Sequence, residues 1–139
     1  SELPGMQGAG FYYFESPDNE INDWFVEKHV ERFDAAPDFF TAQGFAQAMA
    51  ITAAIREADG STDSEDLIDA LENLVFETPK GKMVLREEDH QALQEMYHFR
   101  IKVEERDDWF ADRTVKAGVP ELIRKIGLDE MDIPIRNKH

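Results

Sequence analysis

The sequence predicts an α/β fold, and three observations support it. Apolar residues recur at three- and four-residue steps in several stretches, as on one face of a helix, and alternate at a period of two in another, as on a half-buried strand. Proline and glycine separate two short β-favouring runs with the chemistry of a tight turn. The helical and strand patterns interleave along the chain, with no internal repeat or low-complexity tract between them.

In order, Phe11, Tyr12, Tyr13 and Phe14 lie between the glycines at 8 and 10 and the Ser16-Pro17 break, and read as a buried strand. Ser16 is placed to cap a first helix with Pro17 at its first position, and Ile21, Trp24, Phe25, His29 and Phe33 form its apolar stripe up to Ala35-Ala36-Pro37. A second helix spans about Asp38 to Ala58, alanine-rich and apolar around much of its circumference, so deep packing is expected of it. Thr62 and Glu65 have capping-box spacing ahead of a short third helix through Leu67, Ile68, Leu71 and Leu74.

Val75 to Thr78 and Lys82 to Arg86 flank Pro79-Lys80-Gly81 and read as a hairpin. The polar stretch Glu87 to Gln91 reads as a connection, and Tyr97, Phe99, Ile101 and Val103 alternate with His98, Arg100, Lys102 and Glu104 as a strand. The charged stretch Glu104 to Asp108 precedes Trp109-Phe110. Val119-Pro120 then opens a last short helix through Leu122, Ile123 and Ile126, closed at Gly127, and the tail from Met131 to His139 has no periodicity. Two free strands and one hairpin are too few for a covered parallel sheet, so the chain reads as part of a sheet whose other strands lie elsewhere.

Composition narrows function. A formal charge of -15 repels phosphate backbones and anionic lipid, which excludes nucleic acid and membrane surfaces as natural partners. With no cysteine, disulfides, thiolate metal sites and thiol nucleophiles are excluded. No apolar run approaches the ~18 residues that span a bilayer, and Ser1-Glu2-Leu3-Pro4-Gly5 lacks the parts of a signal peptide, so the chain reads as soluble and either mature or truncated.

No phosphate loop, nucleophile elbow or His-Glu-x-x-His motif is present, so no enzymatic activity and no cofactor is expected. His90, within Glu87-Glu88-Asp89-His90, and His98 are the residue types of a metal or general-base site, but a hydrophilic connection and the polar side of a strand account for both. His29 reads as a packing residue on the first helix.

Three stretches together resemble the last third of type I periplasmic solute-binding proteins of the leucine/isoleucine/valine-binding family. They are Pro37-Asp38-Phe39-Phe40-Thr41-Ala42-Gln43-Gly44-Phe45-Ala46-Gln47-Ala48, then Phe76 to Met83 running into Arg86-Glu87-Glu88-Asp89-His90-Gln91-Ala92, and the Tyr97 to Val103 strand. A generic hairpin needs the turn glycine but not the Glu-Asp-His-Gln that follows. Departures are Phe45-Ala46, where many relatives have Tyr-Asp, and the residues after Glu104, which match loosely.

The resemblance implies part of a type I periplasmic-binding-protein fold, an incomplete three-layer α/β sandwich lobe. Residues 1–104 would complete the first lobe of a two-lobed protein, with strands that cross between lobes, and residues 105–139 would return to the second. It implies a C-terminal fragment of the periplasmic or extracytoplasmic component of an ABC importer for amino acids or related, including aromatic, carboxylates. The partners implied are that solute and a membrane permease; self-association of the fragment is expected from its unfinished sheet. A ligand-sensing domain of a receptor or regulator with the same fold is the alternative. Phe40 is the implied ligand-contacting residue, with Tyr12 and Tyr13 as weaker candidates near the cleft; ordinary packing is the competing account of all three.

Overall fold

Asn22 decides where the first helix begins. In the computed structural model, which describes residues 4–107 and 114–136, its buried side-chain amide donates to the carbonyls of Phe14 (2.9 Å) and Pro17 (3.5 Å). Those bonds hold Ser16-Pro17 outside the helix. Asn19 replaces Ser16 as the N-cap, its side chain accepting from the Asn22 N–H at 2.8 Å, and helix α1 runs Glu20–Phe33. It ends at Asp34 in the left-handed conformation (φ 53°).

Helix α2, Phe39–Glu57, begins as the sequence indicates: Asp38 Oδ1 accepts from both Thr41 N and Thr41 Oγ1 at 2.8 Å. Its packing differs from expectation. Only Ala42, Ala46 and Ala54 are buried, whereas Phe40 is 71% and Ile51 57% exposed, because α1, α3 and the first hairpin strand leave part of its circumference uncovered. Helix α3 is Ser64–Leu71, capped by Asp63 in place of the expected Thr62-Glu65 box. Among the described residues no helix is long and apolar enough to cross a membrane.

The aromatic run Phe11 to Phe14 is not a strand. Strand β1 is Gln7–Gly10, and the chain leaves the sheet at Phe11. Gly8 and Gly10, which look like boundaries, are the strand itself: Cβ atoms there would meet the Phe99 ring at 3.4 and 3.3 Å, so their bareness lets that ring lie across β1.

Strands β2 (Val75–Thr78), β3 (Gly81–Leu85) and β4 (Ala92–Gln94) form one antiparallel meander, and β4 is an element absent from the sequence reading. Strand β5, Met96–Asp107, pairs antiparallel with β1 on one side and with β6, Thr114–Ile126, on the other. Strand β6 replaces the expected last helix. Leu122, Ile123 and Ile126 have helical spacing because the ladder slips between Phe99↔Leu122 and His98↔Arg124, bulging out Ile123 and breaking the period of two. Pro120 stands on an edge strand, where a residue without an N–H is tolerated. A single 3-10 turn follows at Leu128–Glu130. Trp109 and Phe110 lie outside the described residues.

The two sheets, the loop before α1 and the start of α2 meet at the β2–β3 turn. Turns normally sit in water because their backbone groups need partners. Here Thr78, Pro79, Lys80 and Gly81 are all buried, and the partners come from the protein. Thr78 Oγ1 accepts from Lys80 N (3.1 Å) and donates to the Gly81 carbonyl (2.8 Å). Asn19 Nδ2 donates to the Pro79 carbonyl (3.4 Å) and Tyr97 Oη to the Lys80 carbonyl (3.0 Å). Lys80 has no exposed surface, and its ammonium donates to Gln43 Oε1 on α2 and Gln94 Oε1 on β4, both at 2.5 Å. Desolvation pulls its pKa from 10.5 down to about 8.

Two outcomes follow from this turn. Gly81 has φ 100°, and a side chain there would run into the Glu95 carboxylate, so Gly81→Ala is expected to destabilise by about 1–3 kcal/mol in urea unfolding. An unchanged midpoint would show a turn free to relax. The folded chain releases the Lys80 proton near pH 8 and the unfolded chain near 10.5, so between them the unfolded state binds more protons and stability rises with pH. From pH 7 to 10 the protein should gain up to about 3 kcal/mol relative to Lys80→Met, measured by unfolding at each pH. A difference that does not change with pH would place the ammonium in water.

Candidate functional site

Phe40 is the second residue after the Asp38 cap, in the first turn of α2, so the cap that starts the helix also fixes where this ring projects. It stacks on Phe39 with centroids 4.1 Å apart and a tilt of 33°. Phe39 meets Phe11 edge-on at 5.6 Å and 84°, and the face of Phe11 lies 5.1 Å from the Lys80 ammonium. The three rings form a wall that runs from a buried cation outward to an exposed aromatic face. An apolar, π-rich surface of this kind offers an aliphatic or aromatic group burial and ring contact, but no charged partner of its own.

The two tyrosines occupy other settings. Tyr12 belongs to the core cluster with Phe25 and Ala42, and its hydroxyl donates to Asn22 Oδ1 at 2.9 Å, with burial raising its pKa. Tyr13 packs on Phe14 at 4.9 Å; its hydroxyl donates to Glu15 Oε2 (3.3 Å) and accepts from Arg106 Nη1 (3.1 Å). Burial raises its pKa too, the Arg106 hydrogen bond working against that shift. Arg106 also ion-pairs with Glu15, so this cluster ties the segment after β1 to the far half of β5.

Sequence reasoning missed Phe11 as a ring contact, Phe39, and the Lys80-Gln43-Gln94 cluster. Phe39 was findable as the neighbour of Phe40. Lys80 carried no signal, since a lysine in a turn ordinarily points into water.

His90 sits at φ 52°, with Nε2 3.1 Å from Glu72 Oε1. With Ile68, Leu71, Leu85 and Arg86 this pair lines a mostly apolar cavity of about 140 Å³. Arg86 is engaged with Asp89 through two bonds, at 2.8 and 2.6 Å, and with the Ile133 carbonyl at 2.8 Å. His98 Nε2 lies 3.0 Å from Gln7 Oε1, and His29 packs between Phe25 and Phe33 with Nδ1 2.8 Å from the Ala35 carbonyl. Among the described residues no trio of His, Asp or Glu is arranged to hold a metal ion.

A family model described as periplasmic binding protein matches residues 1–108. No curated protein matches the chain. Among solved structures, an ABC-type branched-chain amino acid transporter from Rhodopseudomonas palustris CGA009 is 51% identical with a TM-score of 0.85, over 99% of this chain and 34% of its own length. A leucine-, isoleucine-, valine-, threonine- and alanine-binding protein from Brucella ovis, in a closed conformation, is 21% identical with a TM-score of 0.74, over 98% of this chain and 34% of its own. A solute binding protein of an ABC transporter from Rhodopseudomonas palustris BisB5, solved with 3,4-dihydroxy benzoic acid, is 20% identical with a TM-score of 0.69, over 88% of this chain and 31% of its own. At such identities the last two bear on the fold alone. The chain thus spans about a third of the length of these solved relatives. Its mixed helices and sheets are part of the periplasmic-binding-protein fold, and with the family model matching most of its length, the chain belongs to the periplasmic binding protein family.

Proposed function

We propose that this chain is the C-terminal portion of the extracytoplasmic solute-binding component of an ABC importer, that it carries out no catalytic step, and that its solute is an amino acid or a related aromatic carboxylate. The observation that carries this is the 51% identity to a branched-chain amino acid transporter over nearly the whole chain. In this reading residues 1–104 contribute to the first lobe and residues 105–139 return to the second. The crossing then falls within the β5–β6 ribbon, which runs unbroken through Glu104↔Ala117 and Glu105↔Lys116. Closure of the lobes around solute delivers it to a membrane permease. Phe40 is the apolar wall of the solute site, and Tyr12 and Tyr13 act behind it, one through the core and one through Arg106.

The solute's charged groups need hydrogen-bonding partners that an aromatic wall lacks, so tight binding requires further sequence of the gene's full product. In that product, calorimetry with leucine, valine and benzoate should give binding to at least one, and Phe40→Ala should cost roughly 1–3 kcal/mol of it. Undiminished affinity in the variant would return Phe40 to packing, and failure of the full product to bind any amino or aromatic acid would end the solute reading.

Exposed Trp24, Phe33, Phe40 and Ile51 leave this chain with apolar surface that further chain or a second copy would cover. Alone at high concentration it should self-associate. Light scattering that shows a strict monomer at millimolar concentration would count against this.

A further inference from the structure

We propose that Lys80 is a positioning residue for the aromatic wall: fixed by Gln43 and Gln94, its buried ammonium holds Phe11, and Phe11 in turn sets Phe39 and Phe40. This rests on the solute reading only for its purpose, not for its geometry.

A buried ammonium is costly unless compensated, and among the described residues no carboxylate pairs with this one. Its hydrogen bonds go to two neutral amide oxygens, at 2.5 Å each, and the face of Phe11 lies 5.1 Å away. A desolvated cation over a ring is the setting in which cation–π attraction is strongest. The contact bears on a ring outside the sheet: Phe11 follows β1 where the chain has left the sheet, and it is only partly buried, packed against the cluster of Tyr12, Phe25 and Ala42. From there the path is continuous, edge-on to Phe39 at 5.6 Å and stacked to Phe40 at 4.1 Å. A methionine or leucine at position 80 would fill the same space with no charge to desolvate, but would take the ammonium donor away from Gln43 Oε1 and Gln94 Oε1, so packing alone does not explain the lysine.

The groups around Lys80 permit a clean titration. Tyr97 from β5 donates to its carbonyl and Tyr12 adjoins Phe11; burial holds both hydroxyls protonated well above the window, Tyr97 up to about 12. Glu77 and Lys82 flank the turn, and Glu95, ion-paired with Lys125, lies beside Gly81. α2 contributes Gln43 and β4 contributes Gln94 as the neighbours of the ammonium, both neutral.

The test is an NMR titration of this chain from pH 6 to 10, following the aromatic signals of Phe11, Phe39 and Phe40 together with the Lys80 side chain. All three rings are expected to shift with the Lys80 midpoint, near pH 8, and to lose that shift in Lys80→Met. Phe39 and Phe40 standing still while Lys80 titrates would overturn the proposal, as would an undiminished shift in the variant. If Lys80→Met does not fold, Phe11→Leu interrupts the same path, and a titration that persists at Phe39 and Phe40 there overturns it equally. In the gene's full product, Lys80→Met should weaken binding of whichever of leucine or benzoate the wild type binds by about tenfold, through coupling with Phe40 that a double-mutant cycle reads. Equal affinity, or effects of the two substitutions that simply add, would overturn the positioning role and leave the solute reading intact. A wild type that binds neither compound would remove the solute reading, and the ring titration would then decide Lys80 on its own.

Discussion

Burying a hairpin turn obliges the rest of the protein to answer its polar groups, and that obligation organises this chain. A turn on the surface leaves its carbonyls and N–H groups to water. At Thr78 to Gly81 the Thr78 hydroxyl answers two groups from within the turn, and four further partners are drawn from separate elements: Asn19 from the cap of α1, Gln43 from α2, Gln94 from β4 and Tyr97 from β5. Four segments distant in sequence are thereby pinned to one point. Because an unsatisfied buried group costs about 1–3 kcal/mol, no single partner can leave without the others being strained. Asn19 shows the economy of this: the same side chain caps α1 and reaches the Pro79 carbonyl, so helix start and turn position are one decision.

The second organising element is the β5–β6 ribbon. Among the described residues the first part of β5 is also paired to β1, through Gln7↔Arg100 to Gly10↔Tyr97, and beyond it β5 and β6 continue as a pair. Two-stranded ribbons have little intrinsic stability, which fits the proposed crossing between lobes better than a core. The Arg106 contacts with Tyr13 and Glu15 fasten the far part of this ribbon to the segment after β1. Two passages of the chain are thus tied by a charged cluster that is partly open to solvent, where such pairs contribute about 0–1 kcal/mol and can be broken and remade at small cost.

What was legible in the sequence were features set by local chemistry. Asp38 announces α2 because a capping carboxylate acts within three residues, and Pro79-Lys80-Gly81 announces its turn because proline and glycine restrict or free their own backbone. What was hidden depends on distant neighbours. Gly8 and Gly10 look like the edge of a strand until Phe99, far along the chain, is seen to need the room they leave. Strand β6 passes for a helix because one bulged residue, Ile123, converts a spacing of two into spacings of three and four. Strand β4 is only three residues long, and its pairing with β3 follows a His90 in a left-handed conformation that no propensity requires. At the candidate site, the family resemblance directed attention to Phe40, while Lys80, buried beside Phe11, looked like any solvated turn lysine.

The wall and its cation also suggest why an aromatic surface and a strongly acidic exterior coexist in one chain. A net charge of -15 disfavours the approach of any anionic molecule, carboxylate solutes included. A buried positive charge placed behind the rings is an exception to that exterior, and its field acts locally on the rings, because screening by water is weakest where the group is buried. Placed at the surface, the same lysine would be hydrated, flexible and screened within about a Debye length. Burial therefore converts Lys80 from one of fifteen basic residues on an acidic protein into a positive point of fixed position. The desolvation that lowers its pKa is the physical counterpart of that fixity, since the same loss of water that makes the charge harder to hold also makes its field felt by the rings in front of it.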